Sequence, residues 1–152
     1  MLASAILAGC GGGGGKGQVV RGDGFRFTAP AGWSVQHTRT AWVASKGDTD
    51  LVETASFTTV KLYRSSLFKQ LPRELDHVAA SLARDLKGKV AGRRRVVVAG
   101  RQSWSYRVRS GFDATDITFV FVARQEYQLL CRRLVTVDAT ACQQLLSSFT
   151  LG

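Results

Sequence analysis

The residues of this chain whose types could do chemistry are three cysteines, two histidines, one Ser-x-x-Lys spacing and a dense run of arginines. Metal or hydrolytic chemistry needs ligands, bases and nucleophiles that converge. His37 and His77 lie far apart, with no HxxxH or CxxC beside them, so metal catalysis is disfavoured and both read as surface residues. Ser66-Leu67-Phe68-Lys69 matches the SxxK pattern in which a lysine helps deprotonate a serine, but the companion SDN and KTG elements are absent. No Walker A or GxSxG sequence occurs either. Arg21-Gly22-Asp23 matches a cell-adhesion tripeptide and is expected to be exposed, yet three residues carry no functional claim.

The arginines are a stronger feature. Between Arg84 and Arg109 the chain holds Arg84, Lys87, Lys89, Arg93, Arg94, Arg95, Arg101, Arg107 and Arg109 against Asp85 alone. Guanidinium groups suit bidentate contact with phosphates or carboxylates, which makes Arg93, Arg94, Arg95, Arg101, Arg107 and Arg109 the candidate anion-binding set. The plainer reading is a solvated strand face with arginines guarding an exposed edge. The formal charge of +10 favours anionic partners in either case.

Compartment narrows those partners. Residues 1–9, MLASAILAG, are uncharged and end in Leu7-Ala8-Gly9 before Cys10, as a signal-peptide apolar region does at a small-residue cleavage site. This resembles the lipobox of bacterial lipoproteins. The resemblance implies a diacylglyceryl group on the Cys10 thiol, cleavage just before it and fatty acylation of the new amine in many organisms. Gly11 to Gly15, then Lys16-Gly17-Gln18, read as a flexible tether that lifts a domain off a bilayer. No Lys or Arg precedes the apolar run and nine residues is short for a signal peptide, so either a natural start upstream or a truncated chain is expected. The alternative is a glycine-rich leader on a cytosolic protein. With Cys10 lipidated, Cys131 and Cys142 form an even pair suited to an oxidising compartment and a disulfide, against the alternative of two buried thiols.

The remaining length fits one globular domain, with boundaries expected at 1–9 (signal peptide), 10–23 (lipidated cysteine and tether) and 24–152 (domain). Phe25-Arg26-Phe27 alternates like a half-buried strand before the turn Ala29-Pro30-Ala31-Gly32. Further strands follow at Trp33–His37, Ala41–Ser45 and Leu51–Tyr63, making an antiparallel meander. Pro72, Leu75, Val78, Ala79, Leu82 and Leu86 then fall at helical spacing, with Gly88 near the end. Strands resume over Arg93–Val98 and Arg101–Arg109, joined through Ala99-Gly100. In the second, Arg101, Ser103, Ser105, Arg107 and Arg109 form an expected wet face, while Gln102, Trp104, Tyr106 and Val108 form a buried one. Strands around Ile117–Phe121 and Tyr127–Cys131 precede a short helix over Ala139–Ser148 that turns Cys142, Leu145, Leu146 and Phe149 inward.

The fold class is α+β, an antiparallel sheet with a central crossover helix and a C-terminal helix. Phe25-Arg26-Phe27 leading to Ala29-Pro30-Ala31-Gly32-Trp33, and the closing Tyr127–Cys131, Cys142 and Ser147-Ser148-Phe149, resemble PsbP-like domains. Actinobacterial lipoproteins of the LpqN type and DcrB-like envelope proteins are similar. The resemblance covers about residues 24–151 and implies an α/β/α sandwich, with no catalytic residue and no cofactor.

The expected protein is therefore a non-catalytic binding module on the outer face of a bacterial cell membrane. Its expected partners are that membrane, through the lipid anchor, and an anionic lipid, a wall polymer or an envelope protein. Nucleic acid is not expected in that compartment. The alternatives are an envelope enzyme with a site assembled from scattered residues such as Ser66, Lys69 and His37, or a structural or assembly lipoprotein marked by an exposed apolar patch.

Overall fold

A computed structural model describes residues 16–152. Cys10, the signal segment and the five glycines of the expected tether, residues 11–15, lie outside the described residues. The order of elements is β1 (Val19–Gly22), β2 (Phe25–Thr28), β3 (Ser34–His37), β4 (Ala41–Lys46), β5 (Asp50–Thr58), a 3-10 turn at Ser65–Leu67, α1 (Pro72–Asp85), β6 (Lys89–Val98), β7 (Arg101–Ser110), β8 (Asp113–Val122), β9 (Gln125–Leu134), α2 (Thr140–Ser148) and β10 (Thr150–Leu151).

Two antiparallel sheets result, a seven-stranded one in the order β3-β4-β5-β9-β8-β7-β6 and a three-stranded one in the order β1-β2-β10. Strand periodicity sends alternate residues of β7, β8 and β9 to opposite faces, and each face has its own cover. Helix α1 lays Leu75, Ala79 and Ala83 against Tyr106, Val108, Ile117 and Phe119. Helix α2 and the small sheet cover the other face, where Val20, Phe25, Phe27, Leu145 and Phe149 pack on Val52, Val120, Leu129 and Cys131. Cys131 and Cys142 are joined by a disulfide with Cα atoms 5.4 Å apart, tying α2 to β9. Asp138 Oδ1 accepts the Thr140 backbone N–H at 2.9 Å in the turn that leads into that helix.

Several expectations need correction. Residues 19–22 are strand, so the tether stops short of its expected end at 23: Val20 is 3% exposed and pairs with Phe27. The opening meander is broken, because β2 pairs with β10 from the far end of the chain instead of with β3, a contact that local pattern does not encode. β5 ends at Thr58, not Tyr63, and β6 begins at Lys89, not Arg93. Residues 59–63 leave the sheet as a loop tied to the β8–β9 turn, where the Tyr63 N–H donates to the Ala123 carbonyl at 2.7 Å. The wet face assigned to β7 is covered at its centre and open at Arg101 and Arg109. Ser103 and Ser105 are each 2% exposed, and the Thr118 hydroxyl donates to Ser105 Oγ at 2.9 Å, which lets small polar side chains sit under the second layer.

The β6–β7 hairpin turns on two residues, Ala99 (φ 50°) and Gly100 (φ 71°). Positive φ at both central positions is the tight-turn geometry that matches strand twist, and alanine is strained there where asparagine is tolerated. Ala99→Asn is expected to raise stability by about 0.5–1 kcal/mol, read as a higher denaturation midpoint at unchanged slope.

Candidate functional site

The hairpin register decides where the arginines go. Arg95 lies opposite Trp104 and Arg93 opposite Tyr106, so both point to the α1 face. Arg94 lies opposite Ser105, on the face covered by α2. Arg101 sits at the strand end beside the Ala99-Gly100 turn, and Arg109 sits at the other end, facing Lys89. The six expected residues thus form no single surface: they divide between two faces and two ends.

On the α1 face a cup of about 400 Å³ is lined by Phe68, Lys69, Arg73, Asp76, Arg93, Arg95 and Trp104, with Pro72. Its aromatic floor is preorganised. Phe68 stacks on Trp104 with centroids 5.0 Å apart and planes within 8°, and the Trp104 indole N–H donates to the Phe68 carbonyl at 2.9 Å. The Arg93 and Arg95 guanidinium carbons stand 5.4 and 5.8 Å from the Trp104 ring centre. Those distances are within cation–π range. Lys69, in the turn before α1, and Arg73, in its first turn, approach from the same side.

Asp76 organises one side of the cup. Arg93 Nη1 donates to both its carboxylate oxygens, at 2.8 and 2.9 Å, and the Tyr106 hydroxyl donates to Oδ1 at 2.7 Å. The Tyr106 hydrogen bond, foremost, holds the Asp76 carboxyl below its ordinary range; burial opposes it, and the Arg93 hydrogen bonds with the charges of Arg93 and His77 add to the lowering. Burial, first, and the adjacent carboxylate raise the Tyr106 phenol, which stays protonated. Lys69, Arg73 and Arg95 take part in no ion pair among the described residues. The cup therefore presents three uncompensated cations beside one restrained pair.

This pairing makes a pH prediction. A carboxyl whose folded pKa is depressed contributes stability that is present above the unfolded value near 3.9 and lost as pH falls through the folded one. Stability should decline as pH drops below about 4, and Asp76→Asn should remove part of that dependence. Denaturation midpoints collected from pH 6 to pH 2.5 for both proteins test it, and identical slopes would contradict it. Asp138, also held low by its hydrogen bonds to Thr140, accounts for a second part.

The opposite face is different in kind. Arg107 makes a fork to Asp116, with Nε to Oδ1 at 2.7 Å and Nη2 to Oδ2 at 2.8 Å. That pair and Arg94 border a cavity of about 120 Å³, walled by the disulfide and α2, so Arg107 is already matched by a carboxylate. A third cavity, of about 330 Å³ and largely apolar, lies between Leu62, Tyr63, Leu67, Leu71, Val78 and Phe121.

Ser66 and Lys69 precede α1, whereas His37 stacks on Trp42 at 4.5 Å on the side of the sheet that α2 covers. The sheet separates them, so the structure does not assemble Ser66, Lys69 and His37. Sequence reading missed Lys69, Arg73 and Asp76 as partners of Arg93 and Arg95. Arg73 and Asp76, three residues apart on α1, were the available signal; Lys69 precedes the helix, and the stack of Phe68 on Trp104 left none.

No family model matches this chain, and no curated protein matches its sequence. Among solved structures, the cyanobacterial PsbP protein (CyanoP) of Synechocystis sp. PCC 6803 superposes with a TM-score of 0.66 at 14% identity, over 96% of this chain and 99% of that one. A protein of Bacteroides thetaiotaomicron VPI-5482 gives a TM-score of 0.51 at 10% identity, over 91% of this chain and 48% of that one. LpqN of Mycobacterium tuberculosis, described as involved in cell envelope biogenesis, gives 0.48 at 16% identity, over 91% of this chain and 86% of that one. The match to PsbP along nearly the full length of both chains shows that this chain has the PsbP-type fold.

Proposed function

We propose that this chain is a non-catalytic binding domain held by lipid on Cys10 at the outer face of a bacterial cell membrane, and that its cup at Trp104 takes a phosphate- or carboxylate-bearing ligand. The cup is the observation that carries the reading. Lys69, Arg73 and Arg95 converge without acidic partners over a rigid aromatic floor, which is what an anion with an apolar or planar portion needs. The leader before Cys10 and the disulfide support export. An anionic lipid, a wall polymer or an acidic envelope protein would each supply the ligand chemistry.

The indole N–H of Trp104 reports on the cup directly. Titrating polyphosphate at low salt should shift its NMR resonance, and physiological salt should weaken the effect. Arg95→Glu with Lys69→Glu should abolish it. An unmoved Trp104 resonance at low salt would remove the proposed site. A second reading, an assembly protein, is favoured by the apolar groove beside Leu62 and Leu67, which are 43% and 36% exposed.

A further inference from the structure

The end of the sheet formed by the α1–β6 and β7–β8 turns has an exposed aromatic tip near three cations. The β7–β8 turn is Gly111-Phe112, with Gly111 at φ 59°, and Phe112 is 82% exposed, the most exposed aromatic ring among the described residues. A fully solvated phenylalanine at a turn apex packs on nothing, so folding gains nothing from its apolar surface. Val90 and Val137, 40% and 38% exposed, lie at the same end, and the Val135 N–H ties its loop to the Phe112 carbonyl at 2.8 Å.

The turn is locked to its neighbour. Ser110 Oγ donates to the Leu86 carbonyl at 2.7 Å. A side chain at Gly88 would strike the Arg109 carbonyl, so only glycine lets the two turns meet this closely. The contact brings Lys87, Lys89 and Arg109 together, all exposed, against Asp113 alone in the two turns. Lys89 and Arg109 are direct cross-strand partners. Like charges in that position repel, and neither residue takes part in an ion pair among the described residues.

The chain also enters the fold at this end. The Ala29 N–H donates to the Gln18 carbonyl, and the adjoining Pro30 and Trp33 border one cavity with Lys46, Arg133 and Val137. Cys10 precedes Gln18 by eight residues, a reach of at most roughly 28 Å. The opposite end, with Val60 and Val97, points away from that entry.

We infer that this end is a membrane-docking surface: Phe112 enters the interface of an anionic leaflet, and Lys87, Lys89 and Arg109 contact its headgroups. The inference rests on the proposed outward, leaflet-proximal placement and adds the orientation, with the Trp104 cup at the flank and free for its ligand. Exposed aromatics suit the headgroup level, and each nearby cation adds attraction to anionic lipid.

The test uses the chain from residue 11, which contains every described strand and helix, with vesicles of phosphatidylcholine alone or with one-third phosphatidylglycerol. Binding should require the anionic lipid and weaken with salt. Phe112→Ser should reduce it roughly tenfold, and Lys89→Glu with Arg109→Glu more than tenfold, both with unchanged melting temperature. Val60→Ser, at the opposite end and outside the cup, should bind as the parent does. Absence of binding at low salt, or Phe112→Ser binding as tightly as the parent, overturns the inference, as does loss through Val60→Ser in place of Phe112→Ser. Failure of the anchor itself would show separately, as an unmodified Cys10 in protein from cells.

Discussion

Replacing Cys131 and Cys142 together by alanine is expected to lower the unfolding free energy by about 3 kcal/mol, the chain-entropy value for a closed loop of this size. The bridge spans 11 positions and is the covalent tie between β9, at the centre of the large sheet, and α2. Its cysteines are 4% and 7% exposed, so the variant also gives up some packing between the layers. The melting temperature should fall by on the order of 10 °C, and adding reductant to the parent during unfolding should give nearly the same curve. A variant that melts with the parent under oxidising conditions would show that the bridge contributes no stability.

Truncating Phe149 to alanine should cost about 3–5 kcal/mol, more than removing the disulfide. Phe149 is 1% exposed and belongs to an aromatic group with Phe25 at 5.8 Å and Tyr127 at 5.7 Å. It stands between α2 and β10, so its ring joins the helix, the small sheet and the large one. The cavity should loosen the small sheet first, because the cluster under α1 shares none of these residues. Hydrogen exchange should therefore accelerate across β1, β2 and β10 before it does across β7 and β8. Uniform acceleration would mean that the two faces unfold as one unit.

Both predictions act on parts of the fold that were unevenly legible in the sequence. Apolar spacing at Leu75, Ala79 and Leu82 identified α1, and strict alternation identified β7, because local periodicity reflects local geometry. Cys142, Leu145 and Phe149 were likewise legible as the inward face of α2. The partner of β2 was not, since Arg26 pairs with Thr150, 124 residues away. Ser103 and Ser105 were misread as wet for a related reason: alternation separates two faces without saying whether something covers the polar one. The candidate site shows the same limit. Arginine density was plain, but register alone determines that Arg93 and Arg95 flank Trp104 while Arg94 and Arg107 turn away. Lys69 and Arg73 joined them only through tertiary packing.

The fold, the cup and the docking end take on functional meaning together only if the domain sits at a lipid leaflet outside the cytoplasm. Intact mass of the protein purified from bacterial membranes tests this most directly. The predicted mass is that of a chain beginning at a diacylglyceryl-modified Cys10 and lighter by two hydrogens for the Cys131–Cys142 bond. A chain recovered from the soluble fraction with Cys10 unmodified would contradict the account.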